Sequence, residues 1–460
     1  MDSRDKQRPA HGGETIAALS TAFGEAAIAV LRLSGARAVE IADVVFRSKK
    51  RVSELPARMA QFGSIFDGDT RLDDVLLTVF CAPASYTGED VVEISCHGGV
   101  LVSRRILEVL LRAGARSAEP GEFTQRAFLN RKLDLTQAEA VMDVISAQTD
   151  LALRAANEQL EGRLGGRIRE LRAAVLDTLA QVEAYIDFPD EDISPETGAA
   201  LRGRIERALA DIGSLLATAG QGRVLREGLR TVIFGAPNVG KSSLLNRLLG
   251  YERAIVSHHP GTTRDVLEET INLRGIPVRL MDTAGIRDSS CELEQAGMER
   301  TRQAMERADL VLHLAEAPRA PLEQFAEGSM ESLANSPRTL LVLNKCDLGE
   351  HAGWSGVDAV RISCTSGNGM DALTAAIEAK AHGGAARSDW SVAINARHQA
   401  CLETARGFLN AALRTFEQGL SPEFTAEELR AAMDAIGDIV GRADTEELLG
   451  VIFGQFCIGK

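Results

Sequence analysis

TVIFGAPNVGKSSLLNRLLG, residues 231–250, decides the fold of the chain around it. Thr231–Phe234 is a short apolar run of strand type, Gly235–Ser242 is a loop bounded by glycines, and Leu244, Leu245, Leu248 and Leu249 mark one face of a helix. That order is the context a phosphate-binding loop requires. Glycines let main-chain N–H groups close around phosphates at a helix N-terminus, Lys241 supplies a point charge, and the Ser242 hydroxyl can ligate Mg²⁺. Asn238, Val239, Gly240, Lys241, Ser242 and Ser243 are therefore the candidate phosphate-binding residues.

Downstream the pattern continues. Val278–Asp282 is a strand running into Asp282-Thr283-Ala284-Gly285, which puts a carboxylate near the metal and a glycine N–H where a γ-phosphate can be sensed. Leu340–Leu343 runs into Asn344-Lys345-Cys346-Asp347, whose terminal carboxylate can accept from N1–H and N2–H₂ of guanine, donors adenine lacks. Ser363 and Cys364 follow a third strand and can close over the base through main-chain N–H groups. Between the first two motifs, Gly261-Thr262-Thr263-Arg264-Asp265 is a polar loop of the type that orders on a γ-phosphate, with Thr263 the second candidate Mg²⁺ ligand. Four motifs in this order predict an α/β P-loop GTPase. Ile286 follows the DTAG run where Ras-like enzymes carry a water-orienting glutamine, so another group must position the water; Glu292 and Glu294 are the nearby carboxylates.

Outside this module the composition is that of an ordinary soluble chain: 460 residues, 45% hydrophobic and 25% charged, about three domains at roughly 150 residues each. No apolar run reaches the ~18 residues of a membrane helix, the first eight residues are too charged and short for a secretory signal, and the chain is expected in the cytoplasm. Seven scattered cysteines without a CxxC predict free thiols rather than a disulfide framework or structural zinc. A net charge of −14 repels polyanions, so contact with RNA needs a local basic patch or a partner. Arg163, Arg167, Arg169 and Arg172, with Arg126, Arg131 and Lys132, offer such a strip, although a solvated face is the better reading.

Residues 14–35 and 73–95 carry short β-rich runs and Leu101–Arg112 is helical, which predicts a small α+β domain over 1–119. From Leu160 to Ile186 apolar residues step by threes and fours as one long helix face, which FPDED at 188–192 breaks. A further helix follows over Ile205–Leu216, ending near the glycine-rich 219–223. The helical period returns at Cys401–Ala412, and Thr425-x-x-Glu428 reads as a capping box. Helices on both sides of the nucleotide module predict an all-α domain, 120–227 and 385–460, interrupted by an insert at 228–384.

PNVGKSSLLN, PGTTRDV, DTAGIRD and NKCD, preceded by SYTGEDVVEISCHGG and PGEFTQRAFLNRKLDLTQAEA and followed by the terminal FCIGK, together resemble the MnmE (TrmE) family of tRNA-modification GTPases over essentially the whole chain. The resemblance implies an N-terminal tetrahydrofolate-binding and dimerisation domain, a discontinuous helical domain and a GTPase insert. It further implies a flavin-dependent partner, MnmG (GidA), and transfer of an aminomethyl or carboxymethylaminomethyl group to C5 of the wobble uridine of certain tRNAs. A 5-formyl- or 5,10-methylene-tetrahydrofolate would be the one-carbon donor. Potassium would activate the GTPase by helping two inserts dimerise, with Asn238, Ser257, His259 and Thr262 at the K⁺ positions. Ser257 joins the nucleotide-site residues on the same ground, and Glu294 becomes the water-orienting catalytic residue. Arg32, Glu93, Lys132 and Lys460 fall at the folate positions and Cys457 becomes the candidate catalytic thiol. A ribosome-assembly or signalling GTPase of the Era/Obg type is the competing function. Such proteins share the GTTRD and DTAG loops but have no need of FCIGK or of a folate-type domain. A scaffold with a degenerate nucleotide site is disfavoured by the presence of Lys241, Ser242, Asp282 and Asp347.

Overall fold

The computed structural model describes residues 13–187, 195–251, 269–281, 303–325, 336–381, 393–441, 446–454 and 456–459. They form two compact units, one from Met1–Met142 with Gly437–Lys460 and the other from Asp143–Ile436.

In the first unit, β1 (Ile16–Leu19) and β2 (Ile28–Ser34) lead to α1 (Ala38–Val45) and β3 (Phe46–Arg47). Then come β4 (Ala60–Asp67), β5 (Thr70–Phe80), β6 (Val91–His97), α2 (Val100–Arg112), β7 (Arg116–Ser117), α3 (Glu122–Leu129) and α4 (Leu135–Ser146), whose last turn passes into the second unit. The strands make one sheet in the order β3-β4-β5-β6-β2-β1-β7, antiparallel except where β7 joins β1. Alternation sets its faces: Ala29, Leu31, Leu33, Val75, Leu77, Val79, Val92, Ile94 and Cys96 are buried against Ile41, Ile106 and Leu110 of α1 and α2. On the opposite face Ile28, Phe62 and Leu76 are exposed.

The second unit begins with α5 (Asp150–Leu160), α6 (Arg163–Asp187), α7 (Pro195–Leu216) and α8 (Ala219–Glu227). The long apolar face expected from Leu160 to Ile186 is therefore interrupted: α5 ends at Leu160 and α6 starts at Arg163. The cause is Gly162, which takes φ 88° between them. α7 ends at Leu216, near the glycine-rich stretch at 219–223 as expected, and that stretch itself opens α8, where Gly222 lies close against the carbonyl of Ile394. Next come β8 (Leu229–Gly235), α9 (Lys241–Tyr251), β9 (Glu269–Leu273), β10 (Ile276–Met281), β11 (Leu310–Glu316) and the short α10 (Pro321–Gln324). The chain continues through β12 (Thr339–Asn344), β13 (Val360–Arg361), α11 (Met370–Ala381), α12 (Ala396–Glu417) and α13 (Pro422–Val440). The sheet order is β13-β12-β11-β8-β10-β9, parallel except for β9. Its near-continuous apolar strands are sandwiched, with Leu244, Leu245 and Leu248 of α9 and Leu373 and Ile377 of α11 in the same core.

α7 packs against both α6 and α12, and Ile168, Val175, Ile205, Ile212, Leu402 and Leu409 of these helices are buried. The capping box lies at Asn395 and His398, where it opens α12. Thr425 does not cap α13, which begins three residues earlier at Pro422, a residue suited to a first helical turn. Thr425 is buried instead, and its hydroxyl meets that of Thr415 at 3.0 Å. The chain re-enters the first unit at Gly437, within α13, and continues into α14 (Glu446–Phe453), whose Leu449, Ile452 and Phe453 pack on Phe128, Leu135 and Ala138. No described helix is long and apolar enough to cross a membrane.

Candidate functional site: a nucleotide loop and a charged N-terminal cluster

β8 is the strand at which the parallel sheet of the second unit changes direction, with β10 on one side and β11 on the other. Ligand crevices in such sheets open at the carboxyl ends of the strands on either side of this point, where the loop following Gly235 lies. Asn238 adopts φ 64° and Gly240 φ 102° within that loop. A Cβ on Gly240 would stand 2.2 Å from Asn344 Nδ2, so only glycine fits there. Asn344, 3% exposed, is the knot of the site: its Nδ2 donates to Val239 O at 2.8 Å and its Oδ1 accepts from Cys364 N at 3.1 Å. One side chain thus ties the phosphate loop to both base loops.

Lys241 begins α9, and its Nζ donates to the carbonyls of Gly235 and Ala236, both at 2.9 Å. Burial holds its pKa below the ordinary lysine range. Ser242 and Ser243 follow in the first turn of the same helix. The Lys345 ammonium meets Glu316 Oε1 at 2.5 Å, and Asp347 is exposed on the 3-10 turn Cys346–Leu348. Ser363 is buried, and its hydroxyl accepts from Ser366 N at 3.1 Å. Burial pushes the Cys364 thiol up to about 11. The amide of Cys364, expected to face a base, already serves Asn344. Arg247 of α9 was not singled out from sequence, yet its Nη2 donates to Thr365 O at 3.0 Å and braces this loop from behind. Ser257, His259, Gly261, Thr262, Thr263, Asp282, Thr283, Ala284, Gly285 and Glu294 lie outside the described residues.

The first unit gathers a different set of groups. Arg32 on β2 and Glu93 on β6 are register partners, and Nε and Nη2 of the arginine reach Glu93 Oε1 at 2.9 and 2.8 Å. The guanidinium also lies 5.3 Å from the ring centre of Tyr86 and 5.6 Å from that of Phe123. Tyr86 OH shares a hydrogen bond with Thr124 at 2.8 Å, and burial raises its pKa. Lys132 Nζ donates to Pro83 O at 3.1 Å, in the same 81–90 loop that carries Tyr86. Beneath the loop runs a buried network. Ser34 Oγ donates to Glu89 Oε2 at 2.6 Å, Arg126 reaches Glu89 and Glu122 at 3.0 and 2.8 Å, and Asn130 Nδ2 donates to Thr87 O at 2.7 Å. Arg126, read as a member of a surface basic strip, is thus 11% exposed and held by two carboxylates and by the carbonyls of Glu14 and Ser34. Arg163 pairs with Glu158 and Arg167 meets Ser214.

The C-terminal segment closes over this unit. Cys457 O accepts from Gly121 N at 3.4 Å, Ile458 bridges Pro120, and Gly459 O accepts from Ser20 Oγ at 3.1 Å. Gly459 takes φ 98°, and a Cβ there would sit 2.3 Å from Leu19 O. The glycine of FCIGK is therefore a docking residue. Ser20 lies two residues after Ala18, the register partner of Arg32, so the segment docks at β1, and exposed Cys457 is fixed at Gly121, two residues before Phe123 of the Arg32 cluster. Lys460 lies outside the described residues.

A parallel sheet with a glycine loop at its switch point, a buried asparagine joining that loop to the base loops and an exposed aspartate beyond it define a P-loop GTPase, here set within helices and joined to a separate α+β unit. Residues 15–132 match the model of the GTP-binding protein TrmE N-terminus, and residues 135–457 match that of the MnmE helical domain. The tRNA modification GTPase MnmE of Akkermansia muciniphila is 50% identical over 455 residues, covering 97% of this chain and 99% of its own. That of Geobacillus kaustophilus is 45% identical over 460 residues, with the same coverage. The FeoB G-domain from Methanococcus jannaschii aligns with 33% of this chain and 96% of its own, at 25% identity and a TM-score of 0.24. The chain belongs to the MnmE family and is a GTP hydrolase.

Proposed function

We propose that this GTPase acts in tRNA modification. With a flavin-dependent partner of the MnmG (GidA) type, it would place an aminomethyl or carboxymethylaminomethyl group on C5 of the wobble uridine of certain tRNAs in the cytoplasm. What supports this most is the seating of the FCIGK segment on the first unit, where Cys457 is fixed at Gly121, two residues before Phe123 of the Arg32 cluster.

A reduced-folate donor of one carbon suits that cluster. Its pterin offers donors that Glu93 accepts, its rings stack with Tyr86 and Phe123, and its carboxylate tail pairs with Arg32, Lys132 or Lys460. Ser242 and Thr263 are the hydroxyls assigned to Mg²⁺, which neutralises charge on the phosphates. Asn238, with the backbone at Ser257, His259 and Thr262, is assigned to K⁺, and Glu294 to orienting water. K⁺ favours dimerisation of the GTPase inserts, and hydrolysis then releases them. The sheet face opposite α1 and α2, on which Phe62, Leu76, Ser95 and Val30 align across four strands, supports a homodimer through the first unit.

The test is GTP turnover of the purified chain in KCl and in NaCl, beside 5-formyl-tetrahydrofolate binding. Strong K⁺ stimulation abolished by Glu294→Ala, with folate binding abolished by Arg32→Ala, is the expected result. Equal rates in both salts sink the potassium assignment, and absence of folate binding moves the function to a partner-activated switch.

A further inference from the structure

The base side of the nucleotide site contains a carboxylate that the motifs do not account for. β11 ends at Glu316, which the ladder pairs directly with Asn344, the last residue of β12. The next residue, Lys345, is left-handed at φ 63° and ψ 31°, a region that costs a non-glycine residue energy. Its Nζ donates to Glu316 Oε1, and the two side chains are 34% and 14% exposed.

Glu316 is itself held in place. Its N–H donates to Gln324 Oε1 at 2.7 Å and its C=O accepts from Gln324 Nε2 at 2.9 Å. The same amide reaches Arg319 O at 3.3 Å, and fully buried Trp354 donates Nε1–H to that carbonyl at 2.9 Å. The carboxylate therefore projects from a cross-braced corner.

Two residues past Lys345, Asp347 is exposed, and its carboxylate makes no hydrogen bond or ion pair among the described residues. An unheld ammonium that close would be drawn to it and would compete with guanine N1–H and N2–H₂ for the same oxygens. Glu316 offers the lysine a more buried carboxylate, where attraction is screened less, and spares the ordering of a long side chain when the base binds. We propose that Glu316 is a positioning residue for guanine recognition, holding the Lys345 ammonium away from Asp347 so that Asp347 stays open to the base.

The test uses the full chain with Glu316→Ala, Glu316→Gln, Glu316→Asp, Lys345→Met and the Glu316→Ala/Lys345→Met double variant, read by fluorescent GDP affinity and by GTP kinetics. Glu316→Ala is expected to raise Kd for GDP and KM for GTP about ten-fold while kcat stays within about two-fold. Glu316→Asp should recover most of the loss, and Glu316→Gln, which keeps the size but not the charge, should lie between. In the Lys345→Met background Glu316→Ala should add nothing, because no ammonium remains to be held. An equal penalty in both backgrounds overturns the proposal. So does a fall in kcat and thermal stability with KM unchanged, which would make Glu316 a structural corner only.

Discussion

At the nucleotide site the lysine that would meet a phosphate is lightly committed, to two carbonyls of its own loop, and the aspartate that reads the base stands exposed. In the first unit the charged groups are bound to one another: Arg32 to Glu93, and Arg126 to Glu89 and Glu122. The former arrangement exchanges weak internal partners for a ligand at little cost. The latter is a framework in which a ligand must fit around standing ion pairs and aromatic faces. One site is built to load and release repeatedly, and the other to hold a shape.

The largest effect that separates the two is expected from Lys241→Ala. Removing the only ammonium of the phosphate loop should lower GTP turnover about a hundred-fold or more while folate binding in the first unit is unchanged. Single-turnover phosphate release and ligand titration on the same preparation check this. Loss of both activities would break the comparison. Next in size is Asp347→Asn, which puts a donor where guanine also brings donors but where xanthine brings a carbonyl. Preference should move from GTP toward XTP by about a hundred-fold, measured as the ratio of kcat/KM values.

The same contrast explains how much could be read in advance. Gly235, Gly240, Lys241, Asn344 and Asp347 sit at strand ends in short fixed patterns, because the phosphate and the base demand particular backbone conformations there. The sheet and its site were therefore legible from residues 231–250 outward. The cluster of the first unit draws on residues 32, 86, 93, 123 and 457, which no local spacing connects; only the likeness of whole segments to a family marked Arg32, Glu93 and Cys457 in advance. Tyr86 and Phe123 escaped notice because an aromatic residue beside an arginine leaves no periodic trace. Arg126 misled because a cation in sequence looks the same whether it faces water or two buried carboxylates. Gly459 carried a readable signal, a glycine that tolerates no Cβ, but its partner Leu19 lies at the other end of the chain.

A smaller effect sharpens the comparison from the other side. Arg32→Ala leaves Glu93 without its cation and Tyr86 and Phe123 without theirs, at a cost on the order of 1–2 kcal/mol to the first unit. Folate binding should disappear and GTP turnover persist. Amide exchange across β2 and β6 should quicken, while that of β8 and β11 should not. A matching loss of GTP turnover would show that the two sites are not separable in this way.

The finest test is acid. His313 on β11 lies between the rings of Phe234 and Phe325, at 5.0 and 4.8 Å, and its Nδ1 has no hydrogen-bond partner among the described residues. Burial pushes its pKa down to about 4. The unfolded chain titrates near ~6.5, so between those values only the unfolded state takes the proton, and stability falls as pH drops through the window. In the first unit, burial alone would raise the Glu122 carboxyl, but hydrogen bonds from Arg116, the Glu119 amide and Arg126 outweigh it and hold it below the usual range. Its contribution is present above the ordinary glutamate value near ~4.3 and is lost only as pH falls through the lower folded value. The second unit should therefore weaken at a higher pH than the first, by on the order of 1–3 kcal/mol between about pH 7 and pH 5. Trp354 packs on Phe325 with ring centres 6.0 Å apart, which makes its fluorescence a reporter of denaturant unfolding there, while amide exchange of β1 and β2 reports the first unit. His313→Gln should flatten the pH dependence seen by Trp354 and leave the β1–β2 exchange profile alone, because it removes a group that in this window takes its proton only in the unfolded chain. A slope that survives the substitution would mean that the acid sensitivity of the GTPase sheet resides in other groups, and that its difference from the ion-paired unit is not set by this histidine.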